Sequence, residues 1–299
     1  MGVKIFNLEK SRYETERVCA EGAMKFIYGT RLGALSAFAL FSRAFFSRLG
    51  GLWADSPRSR KAIARFAADN NIDVSEFKNP PASFRTFNDF FTRELADGAR
   101  PLALPGDPRA ISFPCDGRHL LARNVSLADV FYAKGSRFDL AKFLGDPKLA
   151  ARFDGGSMLI SRLSPADYHR FHYPFSGEIA ARKLVKGSLY SVSPLALSRR
   201  LSILWENKRV LNLVDSEAFG LCAFVEIGAT NVGSIENFGA IGARVERGEQ
   251  AGLFRFGGSC VVSVFPPEAN IEWNGVLAEK SAEGVECYAR VNTLAGRAR

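Results

Sequence analysis

Hydrophobic and polar positions change their period along this chain near residue 100. Upstream, apolar residues recur at helical spacing: Phe87, Phe90, Phe91 and Leu95 fall on one face behind Thr86 and Asp89, which stand three apart as a capping box. Asp55-Ser56-Pro57 ahead of the run from Arg58 to Phe66 predicts a second helix with a cap and a first-turn proline. Ser11 followed by Glu14 predicts another helix near the start. Downstream the apolar runs are short, they alternate, and Gly, Pro and Asp separate them. Residues 209–214, 222–227 and 260–265 read as strands, and one helical interlude is expected at 140–153. The pattern predicts an α+β fold: a helical N-terminal region over residues 1–100, then a β-rich domain over residues 101–299.

One upstream segment has its own character. Over residues 31–53, Leu32, Leu35, Phe38, Phe41, Phe45 and Leu49 recur at helical spacing against Ser36, Arg43 and Ser47, and no acid occurs between residues 22 and 54. An amphipathic helix of Phe and Arg without acids fits a membrane interface, although the same stripe would serve a helix packed on the protein's own core. Charge agrees with the first reading. The chain carries 40 Lys and Arg against 31 Asp and Glu, a formal +9, which calls for an anionic partner: nucleic acid, a lipid surface or an acidic substrate. The charged first twenty residues argue against a secretory signal, and no apolar run reaches the roughly 18 residues that span a bilayer. Five cysteines without CxxC spacing predict neither a zinc ribbon nor a disulfide framework, and suit a reducing compartment.

Any imidazole chemistry must draw on His119, His169 and His172, the chain's three histidines. His169 and His172 stand three apart in Ser164-Pro165-Ala166-Asp167-Tyr168-His169-Arg170-Phe171-His172, so on a helical turn they would share a face. Two histidines are too few for tight zinc, and no further ligand cluster completes a metal site. Phe113-Pro114-Cys115-Asp116-Gly117 puts a carboxylate in a turn, and residues 228–235 form a block of small side chains. Gly257-Gly258-Ser259 opens an apolar strand, so the backbone before the serine can take conformations closed to other residues. Cys260 is an alternative nucleophile, but inside a buried strand a thiol is more often inert.

In this order and spacing the segments resemble the phosphatidylserine decarboxylase family, pyruvoyl-dependent enzymes that make phosphatidylethanolamine. The resemblance covers about residues 84–288. It rests on Phe87-Asn88-Asp89-Phe90-Phe91-Thr92-Arg93-Glu94-Leu95 with Arg100-Pro101, the Pro114 to Gly117 turn, the Ser164 to His172 block, Gly187-Ser188-Leu189-Tyr190-Ser191-Val192, the 228–235 block and the 252–259 block. Cys115, Cys260 and Asn207-Lys208-Arg209-Val210 depart from the family's usual residues.

The resemblance implies that Ser259 becomes a covalent pyruvoyl cofactor. In the immature chain His172 would take the proton from Ser259 Oγ, the oxygen would attack the Gly258 carbonyl carbon, and Asp116 would hold the imidazole. A β chain ending at Gly258 and an α chain starting at the former Ser259 would result. Substrate would then lose CO2 through a Schiff base with the pyruvoyl group, His169 donating the proton and Ser191 lining the pocket. The implied partners are phosphatidylserine, an anionic membrane surface and the second chain of the same proenzyme, with a homodimer allowed and no nucleic acid. The implied location is peripheral, on the cytoplasmic face of a membrane. Three other readings compete. They are a pyruvoyl-dependent decarboxylase of a soluble amino acid, a serine or cysteine hydrolase using Ser259 or Cys260 with His172 and Asp116, and a non-catalytic membrane-docking β-domain.

Overall fold

The computed structural model describes residues 2–16, 44–125, 138–229 and 235–299, with residues 44–49 described in backbone only. Strands in the first half are β1 Val3–Asn7, β2 Arg12–Glu16, β3 Ala110–Ser112, β4 Gly117–Ala122, β5 Ser157–Leu163, β6 Arg170–His172 and β7 Gly177–Val185. Those that follow are β8 Arg209–Ser216, β9 Gly220–Gly228, β10 Ile235–Asn237, β11 Arg244–Val245, β12 Gln250–Phe254, β13 Ser259–Phe265, β14 Ile271–Trp273, β15 Cys287–Ala289 and β16 Leu294–Ala298. Ten of them form one sheet in the order β11-β7-β8-β9-β13-β5-β4-β15-β1-β2. Its pairs are antiparallel except β1 with β15. Two three-stranded sheets, β10-β12-β6 and β14-β16-β3, accompany it.

The central strand β13 explains the layering. Successive side chains of a strand point to opposite faces. Val261 and Phe265 join one core with Phe171 and Phe254 of the β6/β12 sheet and Ile111 and Ala295 of the β3/β16 sheet. Cys260, Val262 and Val264 face the other way, into a core closed by short helices. N-terminal to these lie α1 Ala44–Asp55, a 3-10 turn Pro57–Ala62, α2 Ile63–Asp69 and α3 Phe87–Phe91. The short helices of the second core are α4 Leu140–Leu144, α5 Pro147–Ala151, α6 Pro194–Leu197 and α7 Ile203–Glu206. A third cluster, with Ile63, Phe77, Phe84, Phe87, Phe90 and Phe91, packs the N-terminal helices together.

The strands expected at 209–214, 222–227 and 260–265 are present as β8, β9 and β13. The capping box is also present: Thr86 accepts from Asp89 N–H while the Asp89 carboxylate accepts from Thr86 N–H, both at 3.1 Å. Helix α3 stops at Phe91, so Leu95 leaves the apolar face and bridges Phe77 instead. Ser56 caps the second helix through Arg58 N–H, and that helix opens as a 3-10 turn.

Two expectations are corrected. The start of the chain is a hairpin, not a helix: Ser11 takes a positive φ of 50°, Asn7 Oδ1 accepts the N–H groups of Glu9 and Lys10, and β1 docks beside β15. Glu16 then ends buried against Arg162 at 2.6 Å, and Arg162 also holds Glu286 at 2.7 Å. Those partners are far apart in sequence, so the Ser11 to Glu14 spacing carried no trace of them. The interlude at 140–153 is two helices, because Gly145 adopts a left-handed cap (φ 68°) and Asp146-Pro147 starts a new helix.

Of the amphipathic segment 31–53, residues 31–43 lie outside the described residues, and the remainder is the helical backbone of α1. Leu52 and Trp53 of α1 are exposed, by 66% and 46%. No helix among the described residues is long and apolar enough to cross a membrane.

Candidate active site

Residues 255–258 join β12 to β13. Gly257 has φ 145°, a region that side-chain-bearing residues rarely enter, and it lets the chain turn into β13. Ser259 opens that strand between Leu163 of β5 and Gly228 of β9, and it is fully buried. Its hydroxyl lies 3.3 Å from His169 Nδ1. His169 Nε2 donates to the Ser164 carbonyl at 3.0 Å, which leaves Nδ1 bare to accept from the serine. Phe91 of α3 stacks on the imidazole at 3.8 Å and 26°. Burial, with the nearby Arg93 charge, pushes the His169 pKa down to about 3, so the ring is neutral at physiological pH. A neutral imidazole with its free lone pair on a hydroxyl is placed to take a proton and return it.

The turn before His169 is held from several sides. Asp167 accepts from Ser164 N–H at 2.6 Å and pairs with Arg118. Arg93, just past α3, donates to the carbonyls of Ala166 (3.1 Å) and Asp167 (3.0 Å). Phe254 N–H donates to the His169 carbonyl at 2.9 Å, extending the β12–β6 ladder by one residue.

The expected Ser259–His172–Asp116 chain is not formed. His172 Nδ1 donates to the Gly248 carbonyl at 2.8 Å, and its Nε2 faces Tyr168 Oη at 3.5 Å. Asp116 accepts a fork from Arg100, with contacts of 2.7 to 3.1 Å, and the N–H of Val291 at 2.9 Å. Its charge reaches His172 through space only, favouring the cation against a larger opposing effect of burial. The reason is local geometry. The shared face assumed a helical turn, but residues 170–172 are strand β6, and in extended chain two residues three apart face opposite ways.

Ser191 accepts from Ser193 N–H at 3.2 Å, and the next residue, Val192, lies beside Gly258. Asn207, which precedes the departing Lys208 in the Asn207 to Val210 stretch, ties this stretch to the site. Its amide donates to the carbonyls of Tyr190 (2.8 Å) and Gly228 (2.9 Å) and accepts from Tyr190 N–H (3.0 Å), and Gly228 is the partner of Ser259. Cys260 faces the opposite core, where burial pushes its thiol up to about 12, so it is no nucleophile for this site. Residues 230–234 of the small-residue block lie outside the described residues. Phe91, Ser164 and Arg93 were missed as site residues. The run from Phe87 to Leu95 signalled a helix, but nothing local says that a helix face covers an imidazole.

His119, fully buried between Ser161 Oγ (2.9 Å) and the Ala289 carbonyl (3.4 Å), is likewise held down to about 3. The unfolded chain binds this proton near pH 6.5 and the folded chain refuses it until about 3. The stability it contributes is therefore whole above 6.5 and declines as pH falls toward 3. From pH 7 to pH 5 the loss is about 2 kcal/mol. Urea unfolding of uncut Ser259→Ala protein, with and without His119→Asn, should show the variant gaining about that much on its parent over this interval. A gap independent of pH would mean that the folded protein protonates His119.

The fold is α+β, and its buried serine opens a central strand behind two glycines with a neutral imidazole on its hydroxyl, a hydroxyl and base paired for proton transfer as in an enzyme. Residues 87–284 match the family described as phosphatidylserine decarboxylase. A phosphatidylserine decarboxylase proenzyme from Fusobacterium nucleatum is 41% identical over 282 residues, covering 92% of this chain and 91% of its own. The proenzyme of that name from Chlamydia trachomatis is 38% identical over 292 residues (97% and 96%), and that from Clostridium novyi 34% over 285 (95% and 96%). The chain belongs to the phosphatidylserine decarboxylase family and is a carboxy-lyase.

Proposed function

We propose that the chain is a proenzyme that cuts itself between Gly258 and Ser259. With the pyruvoyl group so formed, it decarboxylates phosphatidylserine to phosphatidylethanolamine and CO2 at an anionic membrane surface. The observation that carries this reading is the contact of Ser259 Oγ with the bare Nδ1 of His169, directly after Gly257 and Gly258. The residues fit the group: Ser259 supplies its carbons, and the buried strand start keeps bulk water from it.

In cleavage, the Ser259 hydroxyl gives its proton to an imidazole and its oxygen adds to the Gly258 carbonyl carbon. The Gly258–Ser259 C–N bond breaks, leaving an ester and a free amine. Loss of the Ser259 α-proton then expels the Gly258 carboxylate, and water releases ammonia, leaving the ketone. Joined through the substrate's amino group, the pyruvoyl carbonyl would supply the sink for the electron pair left on the substrate carbon as CO2 departs. His169 holds a proton at Nδ1 and returns it to the substrate carbon that has lost CO2. Ser191, beside Val192, lies on the approach to Gly258 and serves the substrate pocket.

The acid-free Phe/Arg segment, the +9 charge and the exposed Leu52 and Trp53 support peripheral membrane association, which we place on the cytoplasmic face. In vesicles of phosphatidylglycerol and carboxyl-labelled phosphatidylserine the protein should sediment with the lipid and release labelled CO2, while carboxyl-labelled free serine should yield none. Exchanging Phe38, Phe41 and Phe45 for Ser should free it from the vesicles with cleavage intact, because apolar burial at roughly 25 cal/mol per Å² contributes several kcal/mol to binding. Label released from serine but not from lipid would replace the substrate.

A further inference from the structure

The bond that breaks joins Gly258, the last residue of the 255–258 connection, to Ser259, the first of β13. A side chain from outside the sheets takes hold of that backbone. Asn88 of α3 accepts the N–H of Phe256 at 2.9 Å through Oδ1, and its Nδ2 donates to Asp55 Oδ1, at the end of α1, at 2.7 Å. The two partners fix the amide's orientation, since an N–H needs the oxygen and a carboxylate needs the NH2.

Asn88 is 4% exposed, so this bond is shielded from water. The Phe256 ring is gripped alongside it, with Phe87 at 5.1 Å, Phe91 at 5.3 Å and Trp53 at 6.2 Å between centroids. Asp55 also lies 3.6 Å from Arg255 Nη1. The helix that carries Asn88 is anchored by its capping box and by Phe87 N–H donating to the buried Ser59 Oγ at 2.8 Å. One turn further along, Phe91 stacks on His169. Helix α3 thus touches both halves of the reaction centre: the backbone just before the scissile carbonyl, and the imidazole.

We propose that Asn88 is a positioning residue for self-cleavage, holding the Phe256 N–H so that the face of the Gly258 carbonyl stays turned toward Ser259 Oγ. Attack requires the reacting atoms about 3–3.5 Å apart and aligned. The Gly258 carbonyl is tied downstream to Ser259 in the β13 ladder, but Gly257 and Gly258 rotate freely, so the orientation of the scissile peptide also depends on an upstream fixed point, which the Asn88–Phe256 bond supplies. After cleavage the same bond anchors the new C-terminus of the β chain beside the site.

This rests on the cleavage reading above, and the test keeps the two apart. Freshly synthesised chain is followed in time on denaturing gels, and melting is measured separately in the uncut Ser259→Ala background. Asn88→Ala should cleave about 10 to 100-fold more slowly than wild type, the cost expected of misplacement by a fraction of an ångström to an ångström. Turnover is read per cleaved chain, so that slow cutting is not counted as slow decarboxylation. The double variant Asn88→Asp with Asp55→Asn exchanges the amide and the carboxylate and rewrites both hydrogen bonds, so it should cleave within about threefold of wild type. Asn88→Ala cleaving within twofold of wild type would overturn the proposal. So would an exchanged pair that recovers the melting temperature but not the cleavage rate, because the restored hydrogen bonds would then not set the cleavage geometry. A wild-type chain that never cleaves would instead sink the cleavage reading itself.

Discussion

Ser259→Ala should remain one uncut chain of 299 residues, while wild type separates under denaturing conditions into a large fragment ending at Gly258 and a small one beginning at residue 259. The small fragment should resist Edman degradation, because its first residue carries a ketone in place of an amine. The expectation follows from three features in one place. Gly257 holds a conformation that side chains disfavour, Ser259 is buried with its hydroxyl on a bare imidazole nitrogen, and the peptide bond between Gly258 and Ser259 is the one the hydroxyl adjoins covalently. A serine hydrolase built on the same pair would stay intact and be acylated at Ser259, yet that side chain is 0% exposed and no external acyl group reaches it in the uncut chain. Intact mass decides: an active wild-type preparation with a single full-length chain removes the pyruvoyl reading.

His169→Ala should lose about 10² to 10⁴-fold in CO2 release per cleaved chain, the usual scale of general acid–base catalysis. His169 is the histidine in contact with residue 259, and its Nε2 is committed to the Ser164 carbonyl, so Nδ1 is the nitrogen that can deliver a proton there. His172, turned to Gly248 and Tyr168, should affect turnover less. Cleavage rates of the two variants separate the histidines further. The contact geometry expects His169→Ala to cleave slowly and in part, so that turnover is read on the cleaved fraction, and His172→Ala to cleave normally. The family resemblance expects the reverse, which requires the His172 ring to leave Gly248 and reach Ser259 before the cut. Equal, wild-type behaviour of both variants in cleavage and turnover would remove the histidines from the mechanism.

Short-range order in this chain was legible from its residues, and long-range contacts were not. The strand at 260–265 was legible because alternation is a property of neighbouring residues, and the same alternation put Ser259 and Cys260 on opposite faces, a consequence that follows once the strand is accepted. The Thr86–Asp89 capping box was legible for the same reason. The Ser11–Glu14 pattern failed because β2 pairs with β1 and brings Glu16 to Arg162 and Arg118, partners that come from β5 and β4 and leave no local trace. The pairing of His169 and His172 failed because helical spacing was assumed for a stretch that the β12 ladder pulls straight.

The sequence by itself determined the α+β character, the serine behind two glycines, the histidine block and membership of a family, since each depends on residue identity and short-range order. Tertiary structure alone decided which histidine meets Ser259, that Arg100 and the Val291 N–H occupy Asp116, and that Asn88 and Phe91 of one short helix hold the scissile backbone and the imidazole. Those contacts join residues tens to hundreds of positions apart. Their geometry is set by sheet register and core packing, where shifting a strand by one residue sends every side chain to the other face.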